Sequence, residues 1–206
     1  MKEHPIIFNT DMVKAILEGR KTMTRRLNAL EKINDNPVNW IVKMENIEAH
    51  FYNSNTDKNK EIKCPYGQPG DLLWVRETWK KSDFPEADGP FEYKASVDYD
   101  TAWNRGIWRP SIHMPKSAAR IWLRITDIRV ERLQDITGED AAKEGTDWTP
   151  PLVTPEECSE TERNLVYKHS FERLWNSIHG WCAWDKNPWV WVVSFEDISS
   201  FINHKS

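Results

Sequence analysis

Gly19-Arg20-Lys21-Thr22-Met23-Thr24-Arg25-Arg26 is the densest polar run in this 206-residue sequence. One backbone-permissive glycine is followed by a lysine, two threonine hydroxyls and three guanidinium groups. Upstream, the short β-like run Ile6-Ile7-Phe8 leads to Asn9 and Thr10, either of which can cap a helix. Met12, Val13, Ile16 and Leu17 then fall at helical spacing, and Gly19 sits where a left-handed residue would end that helix. From Lys21 onward, alternation in an extended segment aims Lys21, Met23 and Arg25 to one face and Thr22, Thr24 and Arg26 to the other. A turn at its start would bring Lys21 and Thr24 together. On residue types alone, a basic loop for phosphate or a plain surface loop explains the run before catalysis does.

Downstream, residues 28–68 read as an insertion with strands of its own at Trp40 to Met44 and around Phe51, and an exposed loop at Asn53 to Asp57. The tight turn Pro69-Gly70-Asp71 opens a strand over Leu72 to Val75. Further strands are predicted at Phe91 to Ala95, Ile121 to Val130 and Trp189 to Phe195. Thr137 caps a short helix through Glu144 that Gly145 ends; 146–159 is loop; a second helix runs from Glu160 to Ile178; residues 197–206 form a polar tail. Many strands with few helices predict a single α+β domain over 1–206, a β-barrel with peripheral helices and the 28–68 insertion.

Twelve tryptophans argue against wholesale disorder. Trp74, Trp122 and one of Trp189 and Trp191 are expected in the core. The other of that last pair is expected to cover a helix or stay near the surface, on the reading that both cannot face the interior. Trp175 is expected on a helix packed against the barrel, and Trp103, Trp108, Trp148, Trp181 and Trp184 beside a cleft. The net charge of −4 gives no global footprint for nucleic acid. Locally, 103–133 holds seven basic residues against two acids, and 135–172 ten acids against three basic residues. The basic stretch either carries phosphate beside Trp103, Trp108 and Trp122, or pairs with the acidic segment. Three widely spaced cysteines suit reduced thiols. With no signal pattern and no apolar run of about 20 residues, a soluble cytoplasmic protein with no membrane partner is expected. His179-x-x-Cys182 with Cys64 lacks metal-site spacing, so no metal and no cofactor are expected.

Gly19-x-Lys21-x-x-Thr24-x-Arg26 resembles the signature Gly-x-Lys-x-x-Thr-x-Arg of the ASCH domain family, a β-barrel related to the PUA RNA-binding domain. The longer pattern resembles the phage and prophage branch of that family. Its blocks are the helix Asp11 to Gly19, the turn and strand Pro69 to Glu77, Trp108-Arg109-Pro110-Ser111-Ile112-His113-Met114-Pro115, Ile136 to Gly145, and Asn187-Pro188-Trp189-Val190-Trp191. The resemblance implies a metal-free amidohydrolase for N4-acylated cytidine or a related modified nucleoside, with Lys21, Thr24 and Glu144 catalytic. Those enzymes are much shorter, without the 28–68 insertion and the tryptophan-rich closing region. An RNA- or single-strand-binding module, or a ribonuclease, is the alternative that other members imply.

Amide hydrolysis needs a nucleophile, a base to activate it and an acid for the leaving nitrogen. Thr24 would attack or orient a water, Lys21 would be the base, and Glu144 would protonate the cytosine side. A lysine at its ordinary pKa of about 10.4 is almost never neutral at pH 7. Burial and Arg20, Arg25 and Arg26 should therefore lower it, with Glu144 opposing. Arg26 is expected to hold the acyl oxygen or the base carbonyl, with Arg109, His113 and Trp108 as further substrate contacts. Each has a bland alternative: Thr24 bonding its own turn, Arg26 pairing with Asp71 or Glu77, Glu144 solvated on its helix, His113 packing a loop.

Overall fold

The structure, a computed structural model, describes residues 1–83, 85–97, 107–147 and 158–203. Trp103, Trp148, most of the 146–159 loop and the last three residues of the expected tail lie outside them.

Five strands form the central sheet: β1 (Glu3–Ile7), β2 (Met23–Arg26), β6 (Leu72–Arg76), β9 (Trp122–Arg132) and β10 (Trp189–Asp197). Their order is β1-β6-β9-β10-β2, with β1 parallel to β6 and the other pairs antiparallel. Alternation sorts the side chains. Ile6, Leu73, Val75, Leu123, Ile125, Val130, Trp191 and Val193 share one buried cluster, and Met23, Val190 and Val192 belong to another on the opposite face. A bulge between Ser194 and Phe195 shifts the β9–β10 register.

The class is α+β, as expected. Among the described residues no ladder joins β1 to β2, so these two are the sheet's edges. They nevertheless approach each other, because Arg26 Nη2 on β2 donates to the Ile7 carbonyl of β1 at 2.7 Å. A side chain thus spans the gap that a further ladder would close in a barrel.

Helix α1 (Thr10–Leu17) follows β1; the Asn9 side chain caps it by accepting from Met12 N, and Val13 and Ile16 face the first cluster. The inserted region contributes α2 (Glu31–Asn34) and an antiparallel sheet of β3 (Trp40–Glu45), β4 (Glu48–Asn53) and β5 (Asn59–Lys63). Trp40, Ala49 and Phe51 place this sheet's inner face in the same cluster as the central sheet. A two-stranded ribbon of β7 (Trp79–Lys81) and β8 (Phe91–Tyr93), with α3 (Pro85–Asp88) between, covers Met114 and Ala118. The expected strand through Ala95 stops at Tyr93, and a 3₁₀ turn over Lys94–Ser96 takes over.

Against the other face of the central sheet lie α4 (Gly138–Lys143), capped by Thr137, and α5 (Glu160–His179), opened by a Ser159/Glu162 capping box. Phe171 and Trp175 of α5 fill the cluster behind Met23. At the expected polar tail, β10 runs to Asp197, and α6 (Ser199–Asn203) begins with a Ser199 hydroxyl that accepts from Trp122 N.

The tryptophans expected in the strands need two corrections. Trp74 and Trp122 are cross-strand partners on the face opposite the first cluster and are only half-buried, while Leu73 and Leu123 point inward. Trp189 and Trp191 lie two residues apart in one strand and so face the same way. Trp191 is fully buried, and Trp189 packs on the same cluster against Phe51.

Gly138 lets α4 and α5 touch: a methyl there would lie 2.2 Å from the Asn164 Cα. Gly138→Ala is expected to cost about 1–3 kcal/mol through overpacking, read as a lowered thermal midpoint by circular dichroism. An unchanged midpoint would show that this crossing is not tight.

Candidate active site

Two left-handed glycines bring the site together. Gly19 (φ +73) ends α1 and Gly145 (φ +78) ends the turn after α4, so that Lys21 forms an isolated backbone bridge with Glu144. Lys21 N donates to the Ala15 carbonyl and Thr22 N to the Lys143 carbonyl, each at 2.9 Å. A methyl on Gly145 would stand 2.8 Å from both Ala15 Cβ and Lys21 Cβ, so a side chain here would push α1 and Lys21 away.

Lys21 is 2% exposed, and its ammonium spends all three N–H donors. It donates to the Met23 carbonyl, the Glu144 carbonyl and Glu144 Oε2, each at 2.8 Å. Burial is the largest influence on Lys21 and lowers its pKa; Glu144 opposes this, and the Arg26 and Arg25 charges add to it. Glu144, 3% exposed, is the C-cap of α4 and gives its other oxygen, Oε1, to Arg25 Nη1 at 3.1 Å. It is no solvated carboxylate.

Thr24 is 2% exposed and opposes Val193 in the β2–β10 ladder. Among the described residues its hydroxyl takes part in no hydrogen bond, so it does not tie its own turn. The expected grouping of Lys21 with Met23 and Arg25 fails, because Lys21 precedes the strand. Met23 faces the second cluster and Arg25 stacks 5.7 Å from the Phe171 ring, whereas the Lys21 ammonium lies 5.6 Å from the Phe8 ring. Arg26 covers that same ring at 5.0 Å. It reaches neither Asp71, which accepts from Lys2 N and Gln68 N, nor Glu77, which Arg120 holds with two nitrogens. Arg26 Nε is closed from solvent and has no partner, and burial lowers the guanidinium's pKa.

The other expected substrate contacts lie elsewhere. Arg109 exchanges backbone hydrogen bonds with Trp79 and stacks over its ring at 5.4 Å; Trp108 lies under Lys80; His113 is exposed in a 3₁₀ turn. Among the described residues none of them hydrogen-bonds to Lys21, Thr24, Arg26 or Glu144.

A cleft of about 800 Å³ opens between α1 and α5 and reaches Glu144 and Gly145. Met12, Leu174 and Trp181 supply its apolar wall, and Trp181 is 92% exposed. Trp184, expected beside it, packs instead on Phe171. The cleft's charges nearly balance, with Asp11, Glu18, Glu144 and Asp147 against Lys14, Arg20 and Arg173, and Arg20 is held by Glu18 and Asp147.

Residue-by-residue reading missed the polar layer behind the pair. Arg25, with a fully closed side chain, also bonds Glu131 and Asp140, and Arg129 bonds the same two carboxylates. The excess of acid over base in 135–172 was the available signal, since it supplies Asp140 and Glu144. Away from this site, Glu48, His50 and Glu61 gather on the outer face of the inserted sheet, where Lys63 pairs with Glu48. Cys64 is buried and Cys182 exposed, and the described residues do not join them with His179 as ligands.

No family model and no curated protein matches the chain. Among solved structures, an ASCH domain from Lactobacillus crispatus is similar at 13% identity and a TM-score of 0.35, covering 95% of this chain and 79% of that one. A likeness this distant carries no argument about the site.

Removing one partner of a buried pair strands the other's charge. Lys21→Met is expected to destabilise by about 3–5 kcal/mol, and Lys21→Met/Glu144→Gln by less than the sum of the single changes. Urea denaturation of the four proteins in the cycle measures this; strict additivity would show that the two side chains do not interact.

Proposed function

We propose that this chain is a metal-free amidohydrolase acting on an N-acylated nucleobase, with N4-acylcytidine as the substrate class its ASCH-like signature implies. The supporting observations are a buried ammonium hydrogen-bonded to a buried carboxylate at 2.8 Å and, three positions along the chain from that lysine, a buried threonine hydroxyl without a hydrogen-bond partner among the described residues. Lys21 donates to the Met23 carbonyl, one peptide from Thr24.

A charged ammonium has no lone pair to act as base. Proton transfer from Lys21 Nζ to Glu144 Oε2 would leave a neutral amine, the form of the lysine that burial favours. The amine then takes the proton of the Thr24 hydroxyl, or of a water it orients, as oxygen attacks the acyl carbon. Glu144 returns its proton to the exocyclic nitrogen as the carbon–nitrogen bond breaks. If Thr24 is acylated, water releases the acid through the same pair in reverse. Arg26, whose Nε lacks an acceptor, is suited to the developing oxyanion; such a donor is worth roughly 3–4 kcal/mol. The Phe8 ring lies against both the Lys21 ammonium and the Arg26 guanidinium, so it closes the pair off on that side.

The near-balance of charge in the cleft suits an uncharged nucleoside, with Trp181 available to stack its base. A nucleic-acid-binding reading draws less support. Arg120 is held by Glu77, Arg124 by Glu196, Arg129 by Asp127, Glu131 and Asp140, and Lys116 by Glu3. Arg132 bonds the Asn187 and Pro37 carbonyls.

The protein should release cytidine from N4-acetylcytidine in the presence of a chelator. Lys21→Ala and Thr24→Ala, if folded, should each reduce turnover by at least about 100-fold. Chromatographic detection of cytidine checks this, and no release by the unaltered protein would refute the reading for that substrate. Trp181→Ala should raise KM several-fold with kcat little changed; an unchanged KM would remove Trp181 from recognition.

A further inference from the structure

Arg25 falls outside the Gly-x-Lys-x-x-Thr-x-Arg signature, yet its side chain is fully closed from solvent and touches β9, α4 and α5 at once. Its fork divides: Nη1 meets Glu144 Oε1 at 3.1 Å, Nη2 meets Asp140 Oδ2 at 3.2 Å, and Nε meets Glu131 Oε1 at 3.0 Å. Arg129 braces those last two carboxylates, with Nε to Glu131 Oε2 at 3.0 Å and Nη2 to Asp140 Oδ2 at 2.6 Å. Arg25 therefore cannot turn without breaking several charge-assisted bonds, and its planar fork fixes where a carboxylate can sit.

Resting on the hydrolase reading, we propose that Arg25 is the positioning residue for the Glu144 carboxylate, holding Oε1 so that Oε2 faces the Lys21 ammonium. A carboxylate has two oxygens and rotates about its last bond. Without Arg25, Glu144 keeps its backbone bridge to Lys21, but nothing among the described residues fixes its Oε1. Glu131 and Asp140 do not reach Lys21 themselves; they keep the guanidinium in place. Lys could supply the charge at position 25, but not three nitrogens in one plane.

Arg25 is also one of the charges that lower the Lys21 pKa, so its loss has a sign. Removing a nearby positive charge makes a lysine easier to protonate, and the pH at which Lys21 becomes neutral should rise. The other charges around the pair remain. They are Arg26 on β2; Arg129 and Glu131 on β9; Asp140 on α4; Asp11 and Lys14 of α1, with Glu18, Arg20 and Asp147, around the cleft; and Arg173 and the exposed His179 on α5.

The test compares Arg25→Met and Arg25→Lys with the unaltered protein, after circular dichroism has established that each is folded. The first readout is the pH dependence of kcat and KM for N4-acetylcytidine. The second is the titration of the Lys21 side chain by carbon-13 NMR, which needs no turnover. Arg25→Met should lower kcat about 100-fold, as expected for a misplaced catalytic group, leave KM nearly unchanged, and move both the rising limb of activity and the Lys21 titration to higher pH. Arg25→Lys should return the titration toward its original position without restoring kcat. Unmoved titration and rate profile in Arg25→Met, or full kcat in Arg25→Lys, would overturn the proposal. If Arg25→Met does not fold, the kcat of Arg25→Lys decides. If the unaltered protein turns over no N4-acetylcytidine, the hydrolase reading fails by itself, and the Lys21 titration in the variants still decides whether Arg25 acts on the pair.

Discussion

A buried lysine is costly unless its charge is answered, and most of what surrounds Lys21 serves to answer it. Glu144 supplies a carboxylate and a carbonyl, and Met23 another carbonyl. Glu144 then needs Arg25, Arg25 needs Glu131 and Asp140, and those carboxylates take Arg129 as well. The chain of charges ties the edge strand β2 to β9 and α4. Each member is satisfied by the next, so the network acts as one unit.

Much of the frame was legible because it follows from period and punctuation. Asn9, Gly19, Thr137 and Gly145 mark the helix ends where the sequence placed them, and Glu160 to His179 is one helix. Alternation also located β6, β9 and β10. It erred where a half-buried tryptophan was read as core, because Trp74 and Trp122 carry as much apolar area as any inward residue yet occupy the outward parity of their strands. The opposite error affected Trp189 and Trp191, whose spacing of two requires a common face.

The site was legible in part. Lys21, Thr24 and Glu144 stand in the resemblance, and the structure brings Lys21 and Glu144 into contact across 123 positions of sequence. Arg25 looked like one more cation in a basic run, because its three carboxylate partners lie more than a hundred positions away. Trp108, Arg109 and His113 form a motif whose contacts are with Trp79, Lys80 and their own turn. Long-range pairing of this kind is invisible to local pattern.

Near the pair in sequence or space, the Thr24 hydroxyl and the Arg26 Nε have no partner among the described residues, and a cleft lined by neither of them reaches Glu144. These three features give the charged pair something to act on. The most direct measurement is a crystal structure of Thr24→Ala soaked with N4-acetylcytidine. The exocyclic nitrogen should lie within hydrogen-bond distance of Glu144, the acyl carbon beside position 24 and the base toward Trp181. Nucleoside bound elsewhere, with Lys21 and Glu144 untouched, would contradict the hydrolase reading.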